Sequence, residues 1–264
     1  MNTYQRQQGV PCFNCIEYSP KTHDYVVLIP IINEGNRIHH ELKRAKSAGV
    51  SKIADIVICD GGSTDGSIVD KILMEMEVNT LLIKNDTGKQ GAQLRMGFWW
   101  ALRRGYKGII TIDGNNKDNI ENISKFIEKL DQGYDFIQGS RFIEGGKAIN
   151  TPLIRYLAVR FIHAPVISLS AHHWFTDTTN AYRGYSNKYL SDARVAPLRD
   201  IFNGYELLAY LSVRASRLGY RVCEIPVVRE YPINETIPTK ITSFRGKFNL
   251  LMILFANFCG KYNP

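Results

Sequence analysis

The stretch IITIDGNNKD, residues 109–118, decides how this chain reads. Its apolar half has the length and composition of a buried strand, and it stops at a carboxylate, Asp113, followed by Gly114 and small polar groups. In an open parallel sheet ligands bind beyond the carboxyl ends of the strands, so an acid there can face a phosphate or a metal. The same residues also describe a plain turn capped by Asp113. The flanking segments separate the two readings.

Upstream, DYVVLIP at 24–30 is a continuous apolar run of the kind a central parallel strand shows, and Pro30 ends it. A polar loop, Asn33 to Asn36, then precedes Ile38, Leu42 and Ala45 at helical spacing, up to the breaker Gly49. A second apolar run at 53–59 leads into eight turn-forming residues, Asp60 to Ser67, and a helical pattern over 68–76. Strand, Gly-rich turn and helix is a phosphate-binding layout, because glycines let backbone N–H groups approach an anion and a helix N-terminus adds a favourable dipole. An N-cap by Ser63 or Asp65 is the plainer alternative. A third strand at 80–83 is followed by Gly88-Lys89-Gln90-Gly91, which opens a helix to about residue 104 and places Lys89 where an anion can be held. Trp99 and Trp100 are adjacent on that helix, so at most one is expected to point fully inward.

Downstream, a helix over 119–130 and a fifth strand at 135–138 lead to Gly139-Ser140-Arg141. Five strands alternating with four helices argue an α/β fold, a Rossmann-like sandwich with a mostly parallel sheet. The alternation then stops. Ile154, Leu157, Phe161 and Ile162 suit an amphipathic helix over 151–169 that Pro165 interrupts, and a polar, aromatic-rich stretch follows from Asp177 to Tyr185. Glu206 opens a further helix among apolar neighbours, where a carboxylate either pairs with a basic group or works as a base. A last strand is expected at 222–228. The chain divides into an N-terminal arm (1–23), a half that carries the regular alternation (24–150), a less regular half of the same domain (151–245) and a basic, apolar tail (246–264).

The 264 residues are ample for one large core. The net charge of +8 is uneven: residues 214–264 hold eight Lys/Arg against three Asp/Glu, so this end is expected to meet a phosphorylated ligand or an anionic membrane face. The basic residues form no stripe interleaved with aromatics, which argues against a nucleic acid partner. Five scattered cysteines suit a reducing cytoplasm, and Cys12 and Cys15 read as part of a loop rather than a zinc site. No run reaches the roughly 20 apolar residues of a membrane span. The nearest, 250–256, packs on the core or lies in a membrane interface.

In order along the chain, Ile29-Pro30 through Asn33-Glu34, Asp60-Gly61-Gly62-Ser63-Thr64-Asp65-Gly66, Asp113-Gly114-Asn115, Gly139-Ser140-Arg141, Asp177 with Arg183, and Thr239-Lys240 resemble family 2 glycosyltransferases. The nearest likeness is to the branch with dolichyl-phosphate mannose synthases and bacterial polyprenyl-phosphate sugar transferases. It implies a GT-A fold, inverting transfer from a nucleotide diphosphate sugar to a polyprenyl-phosphate or saccharide acceptor, and a divalent Mg or Mn. Asp60 matches the acid that contacts the nucleoside, with Pro30, Asn33, Glu34 and Gly62 in the same pocket. Asp113 matches the first acid of Asp-x-Asp, Arg141 a basic residue near the phosphates, and Asp177 an active-site acid. Lys89, Lys117, Arg183 and Lys240 complete the expected donor site, and Asp177 or Glu206 would serve as base toward a hydroxyl. The chain departs from the pattern in three places: Ile32 replaces an aromatic, Asn115 replaces the second acid, and Lys117 stands where Gln is common. One carboxylate fewer weakens a hard-cation site, so metal dependence is expected to be reduced, with Asp118 as a substitute ligand. Two other readings are a catalytically silent nucleotide-sugar-binding subunit and a sugar nucleotidyltransferase; the latter lacks its Gly-rich, Arg- and Lys-bearing loop after the first strand. The expected location is cytoplasmic, at the inner membrane face.

Overall fold

A computed structural model describes residues 2–7, 9–233 and 244–264, the last segment without the side chains of 244–248. Lys240 lies outside the described residues. Among them, nine strands form one sheet in the order β1-β2-β5-β4-β3-β6-β9-β7-β10. Its parallel heart is β3 (Tyr25–Ile31), β4 (Asp55–Asp60), β5 (Thr80–Lys84) and β6 (Gly108–Thr111), with β7 (Phe136–Ser140) parallel to β10 (Val222–Pro226). The helices α1 (Asn36–Ser47), α2 (Asp70–Glu75), α3 (Gln90–Arg103) and α4 (Ile123–Asp131) are the crossovers that parallel pairing requires. The apolar runs read from the sequence are these strands: every residue of β4, β6 and β7 is buried.

The polar arm expected at 1–23 instead extends the sheet. β1 (Asn2–Tyr4) and β2 (Phe13–Glu17) add antiparallel strands to the β5 edge, with Cys15 inside β2 rather than in a loop. The signal is period-two burial, Phe13 and Cys15 inward and Asn14 and Ile16 less so. Phe13 and Tyr4 also cover Trp99, so both tryptophans are buried, Trp100 against Tyr106. α3 has protein on all sides, and an adjacent pair can then point to different buried layers.

Between β6 and β7 the chain inserts β9 (Arg183–Ser186), antiparallel to both. Gly184 packs closely there: a Cβ would lie 2.9 Å from Ile137 Cδ1 and 3.3 Å from the Phe126 ring, so the Ile137 side chain would have to shift. This insertion carries the segment before it, including Asp177, to the carboxyl ends of the parallel strands. A two-stranded ribbon of β8 (Lys147–Ile149) and β11 (Val228–Glu230) covers that edge.

The expected amphipathic helix is continuous. α5 (Leu153–Ala158), a π-turn (Val159–His163) and α6 (Ala164–Ala171) follow one another without a break. The wide turn upstream of Pro165 makes room for its ring where a regular helix would clash, which is why the proline does not stop it. At 19 residues this helix is long and apolar enough to cross a bilayer by length and composition, correcting the reading that no stretch approaches that length. Its inner side rests on α8 (Glu206–Arg217) and α9 (Phe244–Phe258). α7 (Asn187–Ser191), capped by the Ser186 hydroxyl, completes the helical layer.

Candidate active site

The site lies along the carboxyl ends of β3, β4 and β6 and falls into three parts. At one end, two loops grip each other. The Asp60 carboxylate, almost fully buried, accepts from Gly62 N (2.8 Å), Ser63 N (3.0 Å) and Ser63 Oγ (2.6 Å). Asn33, with φ +52°, donates its N–H to Ser63 Oγ and accepts Thr64 N at 2.9 Å, while Glu34 N and Gly35 N donate to Ser67 Oγ at 2.9 and 2.7 Å. Arg37 pairs with Glu34 at 2.9 Å. Asn33, Glu34 and Asp65 border a cleft of about 370 Å³. Asp60 and Gly62 thus shape the loop beside it, and Pro30 is buried within β3. The phosphate-binding layout read for 60–76 does not form: α2 begins only at Asp70 and has six residues, and the turn groups are engaged with one another.

The second part is Asp113 and the loop beyond it. Gly114 is obligatory, since a Cβ would meet Ile31 Cγ2 at 2.4 Å; the chain passes tightly over β3 and aims Asp113 outward. Asp113 Oδ1 accepts from Gln90 Nε2 at 2.8 Å, and Oδ2 accepts from Arg229 Nη2 at 3.2 Å and Asn115 Nδ2 at 3.5 Å. The same Arg229 guanidinium ion-pairs through Nη1 with Asp118, which is fully buried and also accepts from Asn180 Nδ2 at 3.2 Å. Burial opposes the charge of Arg229, but Asp118 and then Asp113 outweigh it and hold its pKa above the ordinary guanidinium value. Lys117, also buried, places Nζ 5.0 Å from the Tyr231 ring centre, and burial with the nearby Arg229 lowers its pKa. Beneath the loop, Glu41 accepts from Asn116 N at 2.8 Å; burial pushes its pKa well up.

The third part is a buried ion pair. Arg141 Nε and Nη2 donate to Asp177 Oδ2 and Oδ1 at 2.6 and 2.9 Å, with both side chains almost completely enclosed. Against the effect of burial, Arg141 holds the Asp177 carboxyl below the ordinary range. Arg155, from α5, donates to Tyr231 OH at 2.9 Å. Burial would raise the Tyr231 phenol, yet Arg229 and then Arg155 lower it, which reports a positive potential at this spot.

Three expected residues stand apart. Arg183 is wholly buried and donates to the carbonyls of Asn180, Leu208 and Thr178 and to Ser212 Oγ, so it ties β9 to α8 and has no face toward the cleft. Glu206 turns back to accept Gly204 N at 2.5 Å. Lys89 caps α3 with an exposed side chain, its N–H given to Asn203 O at 2.7 Å. Conversely, Gln90, Arg155, Arg229 and Tyr231 are at the site although sequence reasoning does not reach them. Nothing local marks them; the excess of basic residues after 214 is the sole hint of Arg229.

The donors around Asp113 do not fit a divalent cation as packed. One carboxylate is engaged by Gln90 and Arg229, Asp118 is sealed behind the same guanidinium, and the remaining acceptor is the buried, unpaired Oδ1 of Asn115. Among the described residues no group of three His, Cys, Asp or Glu side chains is placed to hold a metal.

No family model matches the chain. It is 26% identical over 220 residues to the polyprenol monophosphomannose synthase of Mycolicibacterium smegmatis, covering 78% of this chain and 77% of the relative. It is 27% identical over 207 residues to the undecaprenyl-phosphate mannosyltransferase of Micrococcus luteus, covering 76% and 82%. Among solved structures, glucosyl-3-phosphoglycerate synthase from Mycobacterium tuberculosis superposes with a TM-score of 0.64 at 14% identity, over 89% of this chain and 80% of that one. The same enzyme with Mn2+, UDP and phosphoglyceric acid gives 0.61 at 15% identity, over 89% and 78%. The fold is GT-A, as expected.

Proposed function

We infer that this chain, a GT-A glycosyltransferase related to the polyprenyl-phosphate sugar transferases of family 2, moves a sugar from a nucleotide diphosphate to a polyprenyl phosphate with inversion. The observation that carries this reading is the cluster of Arg155, Lys117 and Arg229 around Tyr231, where the charge of Arg141 is also felt, between Asp113 and the start of an exposed apolar helix. The donor's nucleoside lies in the Asn33–Glu34–Asp65 cleft beside Asp60, its diphosphate reaches Asp113, and the acceptor phosphate enters beside Arg155.

A phosphate acceptor suits these residues better than a sugar hydroxyl. A phosphate oxygen is already ionised and attacks the anomeric carbon without a base, whereas Asp177 is occupied by Arg141 and Glu206 by Gly204 N. The bond from that carbon to the diphosphate breaks as the new one forms, and the charge gathering on the leaving phosphates needs donors fixed beforehand. Arg229 and Lys117 are suited to that role.

The acceptor's hydrocarbon calls for an apolar surface near Arg155. From there the outer side of the helix exposes Leu153 (70%), Ile154 (76%) and Phe161 (71%), and α9 exposes Phe255 (61%). A peripheral seat on the cytoplasmic membrane face through this helix, with α9 beside it, is the corresponding location. Calorimetry with UDP, GDP, CDP and dTDP, followed by transfer assays with the matching donor and a polyprenyl phosphate, tests the reading. Binding of one nucleotide with sugar transfer to the lipid is expected; binding without transfer under any donor would favour a silent subunit.

A further inference from the structure

We propose that Arg229 is the built-in counter-cation of the diphosphate subsite, standing where a divalent ion would otherwise join Asp113 to the donor phosphates. The inference rests on the donor-site reading above and adds a residue that the sequence patterns do not single out.

Position is the first argument. One guanidinium spans two carboxylates, reaching Asp113 Oδ2 at 3.2 Å through Nη2 and Asp118 through Nη1. A guanidinium carries five N–H donors in a fixed plane, so these contacts leave donors for phosphate oxygens, and its side chain keeps a small exposed edge of 9%. The second argument is rigidity. β11 is stitched to the acid loop on either side of Arg229: Val228 N donates to Asn119 Oδ1 at 2.9 Å, Asn119 N to Val228 O at 3.1 Å, and Glu230 N to Lys117 O at 2.8 Å. Arg229 therefore cannot be withdrawn as a freely swinging surface arginine can, because its backbone is held by the loop that carries Asp113. The third argument is substitution. Asn115 removes the second acid that a metal would need, and Lys117 sits two residues on. An incoming divalent ion would meet one shared carboxylate and two fixed positive charges, whereas a diphosphate would meet donors already in place.

The test uses the full chain and two readouts that need no turnover. Mn2+ binding is followed by electron paramagnetic resonance, and nucleotide binding by calorimetry in EDTA and in Mn2+, with UDP, GDP, CDP and dTDP and their uncharged nucleosides. The native protein is expected to leave Mn2+ free and to bind one nucleoside diphosphate equally in both buffers. Arg229→Gln, and the charge-balanced Arg229→Gln/Asp118→Asn, should weaken the diphosphate by about tenfold or more, the loss expected of a charge-assisted hydrogen bond, and leave the nucleoside unchanged. Unchanged nucleoside binding shows that the site is still folded. Arg229→Lys should retain part of the affinity. Stoichiometric Mn2+ binding by the native protein, nucleotide binding that requires it, or diphosphate affinity indifferent to Arg229 would each overturn the proposal. Failure of every nucleotide to bind would instead remove the donor-site reading on which it stands.

Discussion

Arg141 and Asp177 share two hydrogen bonds with almost no solvent contact, so each is the condition for the other's burial. Removing one partner strands a buried charge, at about 3–5 kcal/mol. Asp177→Asn or Arg141→Gln should therefore lower the melting temperature by roughly 6–20 °C for a domain of this size. Replacing both by apolar residues should recover much of that loss, which paired melting curves would read. A merely surface-exposed pair would show no such rescue. His163 makes a different residue-scale prediction. Its ring shares a 2.6 Å hydrogen bond with Thr178 Oγ1, and burial, with Arg183 nearby, pushes its pKa down to about 4. The folded value lies below the unfolded value of about 6.5, so the fold favours the neutral ring. That contribution is intact above pH 6.5 and is lost as the pH falls toward 4, at up to about 1.4 kcal/mol per unit. Stability measured by denaturant across this window should fall less steeply in His163→Gln than in the native protein. Asp113 and Asp60 are legible at this scale because a strand that ends in an acid is a local pattern. Arg229 is not, because its meaning is a contact across 116 positions with Asp113.

At the scale of elements, the helix from Leu153 to Ala171 carries the clearest consequence. Its inner residues Val159, Ala164, Ile167 and Ala171 are buried, whereas Ile154, Phe161 and Leu169 face outward, so one side is packed and the other is apolar and uncovered. If that side meets lipid, Ile154→Glu/Phe161→Glu should abolish cosedimentation with anionic vesicles and leave the melting temperature unchanged, since the substituted residues are exposed. Retained cosedimentation would remove the helix from the membrane reading and leave α9 to account for it. Periodicity reveals this helix, but Pro165 suggests a break that the π-turn absorbs. β9 escapes sequence reading altogether. Four residues with a buried arginine and a glycine carry no alternating apolar pattern, and the strand forms because β6 and β7 offer unpaired edges on both sides.

For the molecule as a whole, alternation of apolar runs with helical periods is enough to specify a parallel α/β sheet, since a buried parallel strand must be apolar on both faces and its crossover must be amphipathic. The order of the acids comes with it, because an acid or turn after such a strand can lie only at the carboxyl edge. Contacts between distant segments decide the rest. Pairing of β2 with β5, and of β1 with β2, turns part of an expected arm into two strands, through backbone hydrogen bonds that any sequence can donate. Ion pairing removes Asp177 from the free carboxylates, and carbonyl contacts enclose Arg183, although both read as ligand-facing in the sequence. Local composition states which charges a segment carries, and only packing states which of them are already satisfied. At Asp113 that distinction separates an acid loop awaiting a cation from one that already holds Arg229.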